Sequence, residues 1–500
     1  MNLRAIIERR FVGSAVALGA GVLLAFSFAP HEWWPLAIVM PALLIWLWEG
    51  ATPKRAAVLG FWFNAGTFSV GTYWLYISLR LIGHAPIPLA LLLMAALVAI
   101  MGAYHYLLGW LVAKYLPARG ALRWLVGIPA AWLIIEWLRS WLFSGFGWLA
   151  LGYSQTDTWL GNLAPVIGQF GLGFLVLLIA GALVTLGRGN MRERIAAGAV
   201  IVVIWGAGFA GGRIEWTQAY ARPITIAVVQ GAIPQDEKWL EDNVQTTLDL
   251  YQKMTREATG VDLIVWPESA APALANDLVP YYEEVYQEAS ASGSALLMGT
   301  IREEKGEYFN SVLAMAPNAE SVGWYDKHHL VPFSEFFPVP EFVRRWLKLM
   351  NLPYSDFTHG GAEQAPLAAA GQRIAASICY EDAYGSSQLA ALRNSTLLVN
   401  VTNDAWFGKS SARYQHLQIS RMRAMEAARP LVRAANNGVS AAIDARGGVI
   451  KLAPEYEANV MQATVQPRSG LTPYLRTGNW PIVCLALVFV LGSAYLRRRV

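Results

Sequence analysis

The chain has 500 residues, of which 55% are hydrophobic and 21 are tryptophan, and its apolar residues are concentrated at the two ends. This distribution excludes a wholly soluble protein and favours one that is anchored in a membrane. The net charge of +4 comes mostly from arginines beside the apolar segments, so it gives no indication of a nucleic-acid partner.

Eight apolar segments are predicted to cross the membrane, since a helix needs about 20 apolar residues to span a bilayer. The first follows basic residues, as a secretory signal would, but no small-residue cleavage pattern closes it, so it is interpreted as a retained helix. The second is short, and the third is rich in glycine and contains Asn64. The eight segments lie near residues 11–28, 35–49, 57–79, 87–113, 122–138, 160–186, 195–212 and 480–496.

The basic residues lie beside alternate ends of these segments. Because positive residues next to a span stay on the cytoplasmic side, both termini are predicted to be cytoplasmic. Residues 1–212 would form a membrane domain of seven helices, 213–475 a soluble domain outside the cytoplasmic membrane, and 476–500 a final span with a basic cytoplasmic tail. The orientation depends on Arg4, Arg9, Arg10, Lys54, Arg55, Lys114, Arg119, Arg123, Arg188, Arg192, Arg194 and Arg497 to Arg499.

The outer segment alternates short apolar strands with helices. Strands buried on both faces and separated by helices indicate an α/β layered domain. Glu268, Lys327 and Cys379 each end a predicted strand, and because such sheets bind ligands at the carboxyl ends of their strands, we expect the three to meet at one edge. The strands are "ITIAVVQG", "VDLIVWPES", "SALLMGTI", "SVLAMAP", "SVGWYDKHHL", "QRIAASICYED" and "STLLVNVTND", with two more in "LVRAANNGVSAAIDARGGVI" around a Gly-Gly turn; helices lie before residue 258, near 280–291 and at about 411–428.

Glutamate, lysine and cysteine together supply the groups that acyl transfer needs. A thiol with a pKa of about 8.5 is mostly protonated at neutral pH, so a nucleophilic cysteine needs a base beside it. Glu268 can take the proton, and Lys327 can hold the oxyanion of a tetrahedral intermediate. Each residue also has a structural explanation: Cys379 as a small buried hydrophobe, Glu268 as a helix cap and Lys327 as a solvated hairpin charge. Cys484 lies within the last span and cannot form a disulfide with Cys379.

His328 and His329 raise the question of a metal site. Adjacent histidines on a strand point to opposite faces of the sheet, and the ligand spacings of zinc sites are absent. Neither a metal nor a cofactor is therefore predicted.

Four separated blocks, "WPES", "YDKHHLVPFSEFFP", "SICYED" and "NVTNDAWFG", resemble the signature motifs of the nitrilase, or carbon–nitrogen hydrolase, superfamily. With its eight predicted spans, the whole chain resembles the membrane-embedded members of that superfamily, the apolipoprotein N-acyltransferase family. The resemblance implies an α-helical polytopic membrane domain joined to a nitrilase-like αββα domain. It also implies a place in the bacterial inner membrane, with the catalytic domain in the periplasm.

The resemblance assigns a role to individual residues. Glu268 would be the general base, Lys327 the oxyanion-stabilising lysine and Cys379 the nucleophile. Supporting roles would fall to Glu335 beside the lysine, Tyr380 and Glu381 after the cysteine, Trp239 on a mobile loop at the mouth of the site, and Phe146 and Trp148 at a lipid entrance.

The implied reaction has two steps. Cys379 would take an acyl chain from a membrane phospholipid, with phosphatidylethanolamine as the expected donor, and form a thioester. The thioester would then acylate the α-amino group of the diacylglyceryl-cysteine at the N-terminus of an apolipoprotein. A membrane domain suits such a donor, because exposing acyl chains to water costs about 0.8 kcal/mol per CH₂. The protein is expected to be a monomer without a nucleic-acid partner.

Two other functions remain open. A membrane-anchored amidase would let water take the second step. A transporter or scaffold, whose outer domain merely binds, would carry paired charges within its spans. Glu136, near a span end, is the one acid of that kind, and the sequence offers it no convincing partner.

Overall fold

The computed structural model describes residues 10–81, 83–258, 260–317, 322–332, 334–336 and 357–497. The chain divides into two compact units. The helical unit comprises Met1–Glu215, Phe407–Gln418 and Arg476–Val500, and the sheet unit comprises Trp216–Trp406 and Ile419–Leu475.

The helices are α1 (Arg10–Ala25), α2 (Leu36–Leu47), α3 (Pro53–Gly71), α4 (Trp74–Leu81), α5 (Ile87–Tyr115), α6 (Ile128–Arg139), α7 (Ala164–Arg188), α8 (Met191–Gly211), α9 (Glu241–Ala258), α10 (Val279–Ala291), α11 (Leu389–Asn394), α12 (Ala412–Ala427), α13 (Pro473–Thr477) and α14 (Trp480–Arg497). The strands are β1 (Gln218–Ala219), β2 (Ile224–Gln230), β3 (Leu263–Val265), β4 (Ala295–Glu304), β5 (Glu307–Met315), β6 (Val322–Asp326), β7 (Leu367–Ala369), β8 (Gln372–Ile378), β9 (Leu397–Thr402), β10 (Leu431–Ala435), β11 (Ala441–Ile443), β12 (Val449–Leu452), β13 (Asn459–Val465) and β14 (Arg468–Ser469).

Among the described residues, four helical segments are long and apolar enough to cross a membrane: Ile87–Tyr115, Trp159–Arg188, Met191–Gly211 and Trp480–Arg497. They match the fourth, sixth, seventh and eighth predicted spans. Helices α1 and α2 are apolar but shorter, and the third predicted span is divided between α3 and α4 by a turn at Thr72 and Tyr73. The count of eight spans and the orientation in a membrane stay predictions.

Glycines allow close packing among α1, α3 and α5. A Cβ atom on Gly21 of α1 would collide with the backbone of Phe63 in α3, and one on Gly109 of α5 would collide with the backbone of Ala56 at the other end of α3. Small residues at helix crossings are typical of helices that associate in a lipid environment, where close van der Waals contact replaces the hydrophobic driving force.

The prediction that Glu136 has no partner is wrong. Its carboxylate lies 3.6 Å from Arg139 Nη2 and accepts a hydrogen bond from the backbone N–H of Leu151 at 2.8 Å. The sequence placed Arg139 in a loop, whereas α6 extends to it and brings the two charges to i,i+3 spacing. The Arg139 guanidinium also donates to the carbonyls of Phe146 and Trp148, so the pair holds the connection that follows α6.

Two six-stranded sheets form the centre of the sheet unit. Their strand orders are β13-β2-β3-β4-β5-β6 and β12-β11-β10-β9-β8-β7. Three adjacent strands are parallel in each sheet: β2, β3 and β4 in the first, and β8, β9 and β10 in the second. All other neighbouring strands pair antiparallel. Apolar side chains from both sheets form one continuous core, which includes Ile226, Val265, Ile378 and Val401. The outer face of the first sheet is covered by α9 and α10 through a second core that contains Leu248 and Tyr282. This packing confirms the predicted layered α/β architecture.

Two local predictions differ from the structure. Strand β8 ends at Ile378, so Cys379 follows the strand instead of ending it. Residues 431–452 form three strands, not two, because β10 turns back to pair with β11 before the Gly447–Gly448 turn leads into β12.

Candidate active site

Lys327 follows the last residue of β6 and is buried between two carboxylates. Its backbone N–H donates to the carbonyl of Asn310 on β5 at 2.8 Å. Its Nζ atom lies 2.8 Å from Glu335 Oε1 and 3.5 Å from Glu268 Oε1, and its side chain is 1% exposed. A buried ammonium requires such pairing, so the explanation of Lys327 as a solvated hairpin charge is wrong.

Glu268 reaches the same point from β3, which ends three residues earlier at Val265. A Cβ atom on Gly299 of β4 would collide with the Glu268 backbone, so glycine is required there for the segment to lie against the sheet. The Glu268 carboxylate accepts hydrogen bonds from Asn310 Nδ2 at 2.8 Å and from the backbone N–H of Asn403 at 2.9 Å. The helix-cap explanation of Glu268 is wrong, because the next helix, α10, begins only at residue 279.

Cys379 occupies a sharp turn between β8 and a single 3₁₀ segment, Cys379–Tyr384. Its φ angle of 51° lies in the left-handed region, which non-glycine residues rarely adopt. Asn400 Nδ2 donates to the Cys379 carbonyl at 3.3 Å, and the Cys379 thiol shares a hydrogen bond with the Thr402 side chain. Strand β9 thus fixes a strained turn that presents the thiol at the carboxyl end of β8.

Burial and the neighbouring charges together hold the pKa of the Cys379 thiol above its ordinary value. Burial raises the pKa of Cys379, the Glu268 carboxylate raises it further, and Lys327 opposes both. For Lys327, burial lowers the pKa, but the carboxylates of Glu335 and Glu268 outweigh it and raise the pKa above its ordinary value. Lys327 is therefore a permanent cation, and the cysteine needs a base at the moment of attack.

Glu335 and Asn310 complete the surroundings of the lysine. Glu335 Oε1 accepts from Asn310 Nδ2 at 3.0 Å as well as from Lys327, and Glu335 Oε2 accepts from the backbone N–H of Val331 at 2.8 Å. One amide, Asn310, thus bridges both carboxylates. The structure brings Glu335 to the lysine, as the resemblance implies.

Glu381 ties the segment after β6 to the end of β8. Its carboxylate accepts hydrogen bonds from the Tyr325 hydroxyl and from the backbone N–H groups of His328, His329 and Ile378, all at 2.8–3.0 Å. Burial raises the pKa of Glu381, although the backbone donors lower it. Glu381 therefore has a positioning role, because it connects the segment that carries Lys327 with the residue that precedes Cys379.

The remaining predicted residues have contacts of their own. Tyr380 is half-buried, and its hydroxyl accepts from Tyr384 at 2.6 Å. Trp239 is 47% exposed. Phe146 and Trp148 belong to the helical unit, where their rings contact each other and the Trp148 indole donates to Gln415 at 3.0 Å. Their assignment to a lipid entrance stays a prediction, as does the mobility of the Trp239 loop.

Sequence reasoning missed Lys238, which is 1% exposed. Among the described residues, its Nζ atom makes one hydrogen bond, to the backbone carbonyl of Glu268 at 3.3 Å. Burial lowers the pKa of Lys238 to about 8, and the charge of Glu268 acts in the opposite direction. Its position beside Trp239 was the only signal in the sequence.

Sequence reasoning also missed a buried ionic cluster behind the turn at Cys379. Arg433 of β10 donates to Asn400 Oδ1 at 2.6 Å and to Asp404 Oδ2 at 2.8 Å, and Asp382 accepts from Ser377 at 2.8 Å. Asn400 joins this cluster to the Cys379 carbonyl. The cluster supports the cysteine from the second sheet: Asn400 and Arg433 lie within the mostly apolar strands β9 and β10, whereas Asp382 and Asp404 lie outside the strands.

The arrangement can perform acyl transfer. It offers a buried thiol, a carboxylate that can accept its proton and a fixed cation for a developing oxyanion. Within the part of the chain that the structure describes, no group of three or more His, Cys, Asp and Glu side chains could hold a metal ion.

Comparisons with known proteins identify the family of the chain. Residues 20–182 match the apolipoprotein N-acyltransferase N-terminal domain, and residues 225–474 match the carbon–nitrogen hydrolase family. An apolipoprotein N-acyltransferase of Methylococcus capsulatus is 40% identical to this chain, over 97% of this chain and 96% of that protein. Another, from Chromobacterium violaceum, is 39% identical over 96% of this chain and 93% of that protein. A solved carbon–nitrogen hydrolase superfamily protein of Xanthomonas campestris covers 53% of this chain and 96% of its own, with 19% identity and a TM-score of 0.38. The chain therefore belongs to the apolipoprotein N-acyltransferase family, and it is an acyltransferase of the carbon–nitrogen hydrolase superfamily.

Proposed function

We propose that the protein transfers an acyl chain from a membrane phospholipid, through a thioester on Cys379, to the N-terminal amine of a diacylglyceryl apolipoprotein. The observation that carries this proposal is that the Cys379 thiol is buried beside Glu268 and Lys327, and that the Lys327 ammonium lies between the carboxylates of Glu268 and Glu335. The names of the relatives supply the acceptor, and the apolar helices supply the reason for a lipid donor.

In the first step, the Glu268 carboxylate takes the thiol proton as the Cys379 sulfur attacks the acyl ester carbon. Lys327, together with a backbone N–H group near the cysteine, stabilises the oxyanion. The bond from carbon to the glycerol oxygen then breaks. Glu268 returns its proton to that oxygen, and a lysophospholipid leaves.

In the second step, the neutral α-amine of the acceptor attacks the thioester carbonyl. Glu268 accepts a proton from the amine nitrogen, the carbon–sulfur bond breaks, and the proton passes to the cysteine sulfur. The thiol is regenerated and an amide is released. A thioester suits this sequence because a thiolate leaves more readily than an alkoxide when an amine attacks.

The same proposal includes the setting of the enzyme. The sheet unit would act in the periplasm, the helices would lie in the bacterial inner membrane, and both termini would face the cytoplasm. The distribution of arginines along the chain supports this orientation.

The test uses intact-protein mass spectrometry of the full chain after incubation with phosphatidylethanolamine alone. We expect a mass gain of one acyl chain, which neutral hydroxylamine removes and which is absent from a Cys379→Ser control. A diacylglyceryl-cysteine peptide with a free amine should then discharge the adduct, whereas the matched N-acetylated peptide should not.

Two results would contradict the proposal. The absence of both adduct and lysophospholipid would exclude a phospholipid donor. Rapid loss of the adduct to free fatty acid without any peptide would show that water is the acceptor, and would favour the membrane-anchored amidase.

A further inference from the structure

A cavity lies within the helical unit and shares no residue with the site around Cys379. Its volume is about 240 Å³. Its walls are the end of α1 with the turn that follows (residues 25–31), the end of α3 with Tyr73, and residues 409–415. The proposed reaction gives this cavity no role.

The charged residues that the structure describes in the lining of this cavity are basic. They include Lys409 and Arg413, and no aspartate or glutamate is found among the described lining residues. Arg413 is 9% exposed, and its guanidinium is held by hydrogen bonds to the Ser410 carbonyl at 3.0 Å and to the Tyr414 hydroxyl at 3.2 Å. An immobilised arginine beside an exposed lysine favours an anionic ligand.

The neutral polar groups of the cavity fit the same kind of ligand. The Tyr73 hydroxyl accepts a hydrogen bond from the backbone N–H of Ser411 at 3.2 Å, which places it at the entry to the 409–415 segment. Ser410 and Ser411 also line the cavity. In proteins, phosphate oxygens accept hydrogen bonds from arginine, lysine and neighbouring hydroxyl groups.

Other lining residues of the cavity are apolar. They include Ala25, Phe26, Ala29 and Val70, at or next to the ends of two apolar helices. The turn after α1 also exposes tryptophans, with Trp33 exposed to 57%, as is typical of residues at a membrane–water interface. The cavity thus combines basic and apolar lining residues, as a ligand with a charged head and apolar chains requires.

We propose that this cavity binds the phosphate of a phospholipid headgroup. The inference rests on the proposed function in one respect, which is that the helices must lie in a phospholipid membrane. Basic residues lie at the start of both α1 and α3, so both helices are predicted to run from the cytoplasmic side outward. The cavity at their ends would then face headgroups of the outer leaflet.

The test measures binding of lipid to the full chain with the substitution Cys379→Ser, so that no acyl transfer can change the ligand. Native mass spectrometry of the delipidated protein would compare short-chain phosphatidylethanolamine and phosphatidylglycerol with the matching diacylglycerol, which lacks the phosphate. We expect both phospholipids to bind and the diacylglycerol to bind at least tenfold more weakly.

Substitutions then locate the binding. Lys409→Gln should weaken phospholipid binding by about 3-fold, the range expected for an exposed charge, and Arg413→Gln by about tenfold or more, as for a lost hydrogen bond to a charged group. Lys409→Arg should retain binding. Lys54→Gln removes an exposed lysine of α3 that does not line the cavity, and should have no effect. If Arg413→Gln does not fold, the comparison of phospholipid binding between Lys409→Gln and Lys54→Gln decides whether the cavity is the binding site.

Three outcomes would overturn the inference: equal binding of diacylglycerol, binding that Lys409→Gln and Lys54→Gln weaken equally, or binding of inorganic phosphate with no binding of either lipid. Failure of the proposed function is distinguishable from these. It would appear as an absence of thioester on the protein that retains Cys379, whether or not the Cys379→Ser protein binds phospholipid in the cavity.

Discussion

The substitution Glu335→Gln tests whether Lys327 is held in place by its carboxylate partners. It removes one negative charge and leaves the shape of the side chain almost unchanged. At an effective dielectric constant of about 20, opposite unit charges attract by about 6 kcal/mol at the 2.8 Å distance to Glu335 and by about 5 kcal/mol at the 3.5 Å distance to Glu268. The substitution thus removes roughly half of the attraction that offsets the burial of the ammonium.

The hydrogen bonds add to this loss. Three donors approach the Glu335 carboxylate: Lys327 Nζ, Asn310 Nδ2 and the backbone N–H of Val331. The Val331 donor uses Oε2 and the other two use Oε1, whereas a glutamine has one acceptor oxygen and a donating NH₂ group. At least one buried donor therefore faces another donor in the variant.

We expect Glu335→Gln to lower the free energy of unfolding by about 3–5 kcal/mol, the usual cost of breaking a buried pair, and to lower Tm by about 10 °C. The rate of thioester formation should fall by about 100- to 1000-fold, as when an oxyanion donor is lost. Quenched time courses of intact-protein mass measure the rate, with Glu307→Gln, an exposed glutamate at the start of β5, as the control. A folded variant that acylates at the unmodified rate would refute the assignment of Lys327 to the oxyanion.

Three further predictions follow from the buried groups of the site. Burial lowers the pKa of Lys238 to about 8, against 10.5 for the free side chain. Between these pH values the unfolded state binds more protons than the folded state, so the free energy of unfolding should rise by about 3 kcal/mol as the pH increases from 8 to 10.5. Lys238→Met should abolish this part of the pH dependence of Tm, and parallel curves of Tm against pH for the two proteins would contradict the prediction. Glu381→Gln leaves one acceptor oxygen for the donors of Tyr325, His328, His329 and Ile378, so Tm should fall by about 5 °C or more while the exposed control Glu363→Gln leaves it unchanged. The pKa of Cys379 is raised, and Lys327 opposes the rise. In a Cys484→Ser background, iodoacetamide at pH 7 should therefore alkylate Cys379 more slowly than it alkylates a small free thiol, and Lys327→Met should slow the reaction further. Faster alkylation of the Lys327→Met protein would show that the lysine does not act on the thiol.

The sequence was sufficient to predict which residues meet at the site, because strand ends and signature motifs both mark them. Glu268, Lys327 and Glu335 are brought together as expected. The amides that connect them were not predictable, since Asn310 and Asn403 look like ordinary polar residues of strand and loop, and their importance depends on distances between elements far apart in the chain. The same reason explains why Lys238 was missed.

A different limit applies to charged pairs inside apolar segments. Glu136 and Arg139 form a pair because α6 extends to Arg139, one residue beyond the predicted apolar span, and helix ends are the boundaries that hydropathy defines least well. Likewise, nothing in the sequence of residues 407–418 indicates that they group with the helical unit, where Gln415 accepts hydrogen bonds from the indoles of Trp74 and Trp148.

In the proposed mechanism, the hydrogen bonds of Glu268 also indicate which of its oxygens would act as the base. Each carboxylate oxygen can accept two hydrogen bonds in the plane of the carboxylate. Among the described residues, Oε1 already accepts from Asn310 and Lys327, whereas Oε2 accepts only from the backbone N–H of Asn403. In the proposed mechanism the thiol proton would therefore pass to Oε2. Because Asn403 follows β9, beside the strand that leads to Cys379, the second sheet would fix both the proposed nucleophile and the oxygen that receives its proton, while the first sheet would fix the cation proposed for the oxyanion.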